Sequence, residues 1–187
     1  AKQVPDTRNV GKDAMTPEGT VNRAALPAIF NPEDLNALEA ALSIKDQAEG
    51  STVHILTMGP PRAADIIRDA MFRGADGGYL LTDRKFAGSD TLATSYALSC
   101  ALRKIRPDLI VAGRQAIDGD TAQVGPQVAE KLNLPQVTYA EQIVELKDNA
   151  IVIKRRLEHG TEVVECPLPM VMTVNSSAPD CRPRNAR

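Results

Sequence analysis

Apolar positions along this chain fall into two rhythms, short continuous runs and stripes at helical spacing, and the two alternate. Residues 7–30 carry neither; with Gly11, Pro17, Gly19 and Pro27 they read as a long polar excursion, with a hairpin around Thr20-Val21. Asn31-Pro32-Glu33-Asp34 is a helix start, with Asn at the N-cap, Pro at the first helical position and acids facing the positive helix end. That helix is expected to reach about Ala48, with Leu35, Leu38, Ala41 and Leu42 inward. A strand over 52–57 ends at Met58-Gly59-Pro60-Pro61. The next helix turns Ala63, Ile67, Ala70 and Met71 inward and stops at Gly74. Tyr79-Leu80-Leu81 reads as a short strand. Asp90 caps a third helix striped by Leu98, Leu102 and Ile105, and strand 108–112 leads to a fourth helix ending near Leu134.

Strands alternating with helices of this length predict right-handed βαβ units, hence an α/β fold with a doubly wound, mostly parallel sheet. After Pro135 the rhythm shortens. Segments 137–146, 151–157, 162–164 and 170–174 read as an antiparallel β extension, with turns at Asp148-Asn149 and His159-Gly160. The expected division is a nucleotide-binding core over 1–135, the extension over 136–176, and the start of a C-terminal arm over 177–187, basic and structureless from Cys181. Both ends of the sequence read as trimmed.

A length of 187 residues suits one domain with an appendage. A net charge of −2, 3% aromatics and no Trp give no electrostatic or stacking case for nucleic acid. No apolar run approaches the roughly 18 residues of a membrane span. Cys100, Cys166 and Cys181 are odd in number and widely spaced, which suits reduced thiols and a cytoplasmic location better than a disulfide framework. No Cys-x-x-Cys motif or catalytic triad stands out, and His54 and His159 are isolated. No Gly-x-x-x-x-Gly-Lys-Ser/Thr loop occurs, which leaves an ATP-using role without its usual motif.

The chemistry concentrates in Gly113-Arg-Gln-Ala-Ile-Asp-Gly-Asp-Thr-Ala-Gln-Val-Gly125, between an apolar strand and a helical pattern of Val124, Val128 and Leu132. A strand, a glycine-containing turn and a helix start place free backbone N–H groups where a phosphate can meet them. Asp120 reads as the N-cap with Gln123 three residues on, a capping-box variant, and Thr121 adds a hydroxyl in the first turn. The same features also serve an ordinary capped helix after a parallel strand. Asp83 to Ser95 repeats the logic, with Thr91 and Thr94 on one side of the first turn after Asp90; they either hold a second phosphate or bond back to their own helix. Asp118 and Asp120 should turn from a phosphate, towards backbone N–H groups or ribose hydroxyls, leaving main chain, Thr121 and Arg114 to hold it.

These residues resemble the β subunit of electron-transfer flavoprotein. The matching pieces are Lys2-Gln-Val-Pro-Asp6, Asn31-Pro-Glu-Asp34 with Ala37-Leu-Glu39, Thr57-Met-Gly-Pro60 and Gly113-Arg-Gln-Ala-Ile-Asp-Gly-Asp120 with Gln123-Val-Gly125, in family order over most of the chain. The ordinary branch holds AMP and carries a run of acids followed by Asn-Gln in this turn. Asp118-Gly-Asp-Thr-Ala-Gln123, together with Asp83-Arg84 and Asp90-Thr-Leu-Ala-Thr-Ser95, looks like the electron-bifurcating branch, which binds FAD instead.

The resemblance implies that Asn31, Met58 and the run Arg114, Gln115, Ala116, Ile117, Asp118, Gly119, Asp120, Thr121, Ala122, Gln123, Val124 and Gly125 line the adenosine and phosphates. It places Asp90, Thr91, Ala93 and Thr94 along the rest of the FAD. It implies a heterodimer with the α subunit, NADH as hydride donor, ferredoxin or flavodoxin as one acceptor, and the α-subunit FAD as the other. From there electrons pass to an acyl-CoA dehydrogenase or quinone reductase, and any membrane association comes through such partners. The alternative is a carrier subunit with a structural AMP. The family's first strand and its C-terminal arm, which embraces the α subunit, lie outside this sequence.

Overall fold

The computed structural model describes residues 1–6 and 26–185, so the expected hairpin at Thr20-Val21 lies outside the described residues. The elements are β1 (Gln3–Pro5), β2 (Ala28–Phe30), α1 (Pro32–Gln47), β3 (His54–Met58), α2 (Ala64–Arg73), β4 (Gly77–Leu81), α3 (Thr91–Ile105), β5 (Leu109–Gly113), α4 (Val124–Leu132), β6 (Gln136–Leu146), β7 (Ala150–Leu157), β8 (Gly160–Pro167) and β9 (Met170–Val174). The fold is α/β with mixed sheets. β1 pairs antiparallel with β2, β3 pairs parallel with β4, and the largest sheet runs β5-β9-β6-β7-β8.

The position of β9 corrects the expectation of four antiparallel strands. β6, β7 and β8 do form an antiparallel meander, but β9 inserts between β5 and β6, parallel to both. Every residue of β9 is buried, as a central parallel strand requires. Its side chains alternate between two cores. Met170, Met172 and Val174 join Ala37 of α1 with Ile151 and Ile153 of β7, while Val171 joins Leu102 of α3 with Val128 and Ala129 of α4. Helices therefore cover both faces, as a doubly wound arrangement demands.

Helix limits follow the sequence signals with local shifts of face. α1 buries Leu38 and Leu42, with Leu35 and Ala41 half-buried. The inward stripe before and along α2 is Ala63, Ile66 and Ala70; Ile67 is half-buried, and Met71 lies further round the helix at 49% exposure, not inward as expected. Gly74 closes α2 at φ +120°, a value that favours glycine. α3 turns Ser95 and Ser99 inward with Leu102, and Leu98 and Ile105 flank them half-buried. Those hydroxyls donate to Leu92 and Ser95 carbonyls at 2.9 and 2.7 Å, which satisfies them inside the core.

The C-terminal stretch has no helix or strand through residue 185, but it is not loose. Arg182 grips Glu39 and Asp46 of α1, Arg184 grips Asp69 of α2, and the Asn36 amide donates to the Ala178 and Pro179 carbonyls. Burial would raise the carboxyls of Glu39 and Asp69, but the facing arginines outweigh it and hold both below their ordinary values.

Candidate functional site

The carboxyl end of β5 opens at Gly113 into a loop that runs to α4, and the first turn of α1 fixes the first half of that loop. Asn31, at the N-cap position, makes no cap bond; its Oδ1 accepts the Ile117 amide at 3.1 Å and its Nδ2 donates to the Gln115 carbonyl at 2.8 Å. Glu33 accepts the Gln115 amide and takes the Arg114 guanidinium two-pronged, at 2.7 and 3.2 Å. Asp34 accepts the Gly113 amide at 2.9 Å on one oxygen and the Lys2 amide at 2.8 Å on the other. Sequence reading gave these acids to the dipole of their own helix. The structure turns Glu33 and Asp34 to a loop about 80 residues away in the chain, both nearly buried.

Arg114 is committed in this way. The Glu33 hydrogen bond raises its pKa above the ordinary value, against the opposing effect of burial, and its guanidinium lies 5.6 Å from the centre of the Tyr139 ring. Tyr139 sits at a bulge in the β6–β9 pairing with φ +60°, a left-handed backbone that costs about 1–2 kcal/mol in a non-glycine residue. The Thr173 hydroxyl accepts its amide at 3.2 Å.

The second half of the loop departs from the sequence expectation. α4 begins at Val124 rather than near Asp120, and Gln123 occupies the N-cap position without a side-chain cap bond. The capping box therefore does not form, and Thr121 stands in the loop, outside the first helical turn. The reason is backbone hand: Asp120 and Ala122 have φ +47° and +52°, which no helix start tolerates. Ala122 in the left-handed region followed by Gln123 in the right-handed one turns successive amides to the same side, the geometry of an anion-binding nest. The first α4 amides lie beyond it, without intrahelical acceptors. Gly125 is required by packing, since a Cβ there would stand 2.5 Å from Thr173 Cγ2. Around Gly119 there is open space.

The second helix start lies alongside. Asp90 caps α3 as expected, accepting the Ala93 amide at 2.8 Å. Thr91 does not bond back to its own helix; its hydroxyl donates to Gln123 Oε1 at 2.8 Å and accepts from Gln127 Nε2 at 3.4 Å. Two helix N-termini thus meet. Ala93 is exposed and Thr94 half-buried in the first turn of α3, and Met58 ends β3 half-buried; among the described residues no side-chain hydrogen bond links these three to the loop. Asp118 and Asp120 turn to side chains rather than to backbone amides: Asp118 to Lys2 Nζ at 2.7 Å, and Asp120 to Gln115 Nε2 at 2.7 Å. Their charges are thereby turned aside, and the nest, the helix ends and the room at Gly119 fit a phosphate-bearing ligand.

The family model for the electron transfer flavoprotein domain matches residues 18–187. The chain belongs to the electron transfer flavoprotein family. Within it, the chain is similar to the caffeyl-CoA reductase-Etf complex subunit CarD of Acetobacterium woodii, 51% identical over 174 residues, 92% of this chain and 65% of the relative. It is similar to the electron transfer flavoprotein subunit beta of Thermoanaerobacterium thermosaccharolyticum, 49% identical over 172 residues, 92% of this chain and 65% of that one. Protein FixA of Azorhizobium caulinodans is 48% identical over 188 residues, 97% of this chain and 66% of FixA. The likeness is thus to β-type electron transfer flavoprotein subunits, and the chain spans about two thirds of their length. No helix among the described residues is long and apolar enough to cross a membrane.

Proposed function

We propose that this electron transfer flavoprotein chain is the β subunit of a heterodimer and binds FAD between the starts of α3 and α4. The left-then-right backbone at Ala122-Gln123, opening α4 beside Thr91 of α3, carries this reading, because it aims several amides at one point next to a second positive helix end. The amides of 122–125, with the Thr121 and Thr94 hydroxyls, hold the diphosphate. Segment 114–117 and Met58 form the wall of the adenosine end, with Asn31 bonded to that segment from behind, and Asp90, Thr91 and Ala93 flank the remainder. In this reading the bound flavin supplies hydride acceptance from NADH and one-electron transfer, while the chain sets its position and excludes water around it.

Electrons then divide between ferredoxin or flavodoxin and the α-subunit FAD, which serves an acyl-CoA dehydrogenase or quinone reductase. The reductase complex in the name of the Acetobacterium relative supports a CoA-thioester partner of this kind. Acid release of nucleotides from the purified heterodimer tests the proposal. Two FAD and no AMP per heterodimer is the expected count; one FAD with one AMP contradicts it and leaves a plain carrier.

A further inference from the structure

We propose that Glu33 and Asp34 are positioning residues for the nucleotide, acting through Arg114 and the 113–117 main chain without touching the ligand. The inference rests on the nucleotide reading above. Both carboxylates are nearly buried, at 7% and 8% exposure, and both point out of their own helix into a distant loop. Between them, with Asn31, they take the amides of Gly113, Gln115 and Ile117 and the Arg114 guanidinium. Those three amides consequently have no part in phosphate binding, although the sequence places them in the phosphate turn. The ligand's negative charge is directed to the later amides of 122–125.

The arrangement also fixes where the later amides begin. From Gly113 to Ile117 alternate amides are bonded to the first turn of α1, and the chain then enters its two left-handed residues. A nest whose approach is held in this way is formed before the ligand arrives, and binding does not have to order it. Asn31 belongs with the acids rather than with the ligand contacts. It is 1% exposed, and its amide group is engaged by Ile117, Gln115 and Asp34. The acids do not oppose a phosphate, because Glu33 is neutralised by Arg114 and Asp34 is spread over two backbone amides and the Asn31 amide.

The test is nucleotide affinity on the full-length heterodimer, stripped and retitrated with FAD, for Glu33→Gln, Arg114→Gln and the double variant, with thermal unfolding of the stripped forms alongside. Each single change is expected to weaken FAD binding at this site by about tenfold or more. The double change should weaken it no further than the worse single one, since both break one clamp. A merely structural role would lower the unfolding temperature and leave the affinity in place. Unchanged affinity in Glu33→Gln, or fully additive losses in the double variant, would overturn the inference. If Glu33→Gln does not assemble, Arg114→Gln opens the same clamp from its more exposed side, the Arg114 side chain being 25% exposed against 9% for the Glu33 side chain. Wild-type protein that binds no FAD here sinks the nucleotide reading itself; wild type that binds while the variants bind equally well sinks only this step.

Discussion

Gly113→Ala puts the junction of α1 and β5 under the most direct strain. Gly113 does not occupy the left-handed region, so its backbone accepts a side chain; the obstacle is contact alone. A Cβ there would stand 2.7 Å from the Asp34 amide nitrogen and the Glu33 carbonyl carbon, and 2.8 Å from Asp34 Oδ1. Two of the three neighbours are backbone in the first turn of a helix, so relief requires α1 to back away from the strand end. Overpacking of this kind costs about 1–3 kcal/mol. Stretching the charge-assisted bond from the Gly113 amide to Asp34 adds about 1.5–3 kcal/mol. A total of about 2.5–6 kcal/mol lowers the unfolding temperature of a domain this size by roughly 5–24 °C. Nucleotide retention should fall with it, because Asn31 and Glu33 move away from Gln115 and Ile117. Calorimetry, with Gly119→Ala as the open-space control for stability alone, and nucleotide release measure the two effects. A Gly113→Ala protein that unfolds within a degree of wild type and keeps its nucleotide refutes the packing of α1 against β5.

Three further expectations follow from the same geometry. Ala122→Pro cannot adopt φ +52°, because the proline ring fixes φ near −65°, so the nest is lost and nucleotide retention on desalting should drop to background; full retention contradicts the nest. Thr91→Val combined with Thr94→Val cuts the link from α3 to Gln123 and removes two hydroxyls, and should lower FAD occupancy measured by absorbance; unchanged occupancy removes these threonines from the site. The carboxyl of Glu39 lies below its ordinary 4.5 when folded, so its contribution is complete above about that pH and disappears as pH falls through the lower folded value. Thermal unfolding followed into acid should therefore decline below about pH 4.5, and Glu39→Gln should flatten that decline. A parallel curve for the variant contradicts the role of the Arg182 clamp.

What the sequence made legible were features whose causes are local. Asn31-Pro32 set the start of α1, Asp90 the start of α3, and the alternating rhythm the α/β class and the meander of β6 to β8. What it hid depends on residues far apart. Nothing within 170–174 tells that this strand lies between β5 and β6; its unbroken burial comes from two helical layers recruited elsewhere in the chain. The start of α4 was misread because Asp120 carries the chemistry of an N-cap, while the left-handed backbone at Asp120 and Ala122 has no glycine to announce it. Glu33 and Asp34 looked sufficient as dipole partners, and their turn towards Gly113 and Gln115 is settled by tertiary contact. The one available signal was a pair of adjacent acids beside Asn31, more polar groups than one helix end uses. The phosphate turn at 113–125 was legible in its strand, glycines and helix start, the full run 114–125 as candidate lining came from family resemblance, and the meeting of α3 with α4 came only with the structure.

In the proposed function, amides at the start of α4, beside the start of α3, grip the phosphates of a bound dinucleotide. A structure of the purified heterodimer with its own cofactor tests it directly. Diphosphate oxygens are expected within hydrogen-bonding distance of the amides of 122–125, with Glu33 and Asp34 still bonded to the loop behind them. Phosphates bound to the amides of Gly113, Gln115 or Ile117, or a cofactor seated away from both helix starts, would contradict it.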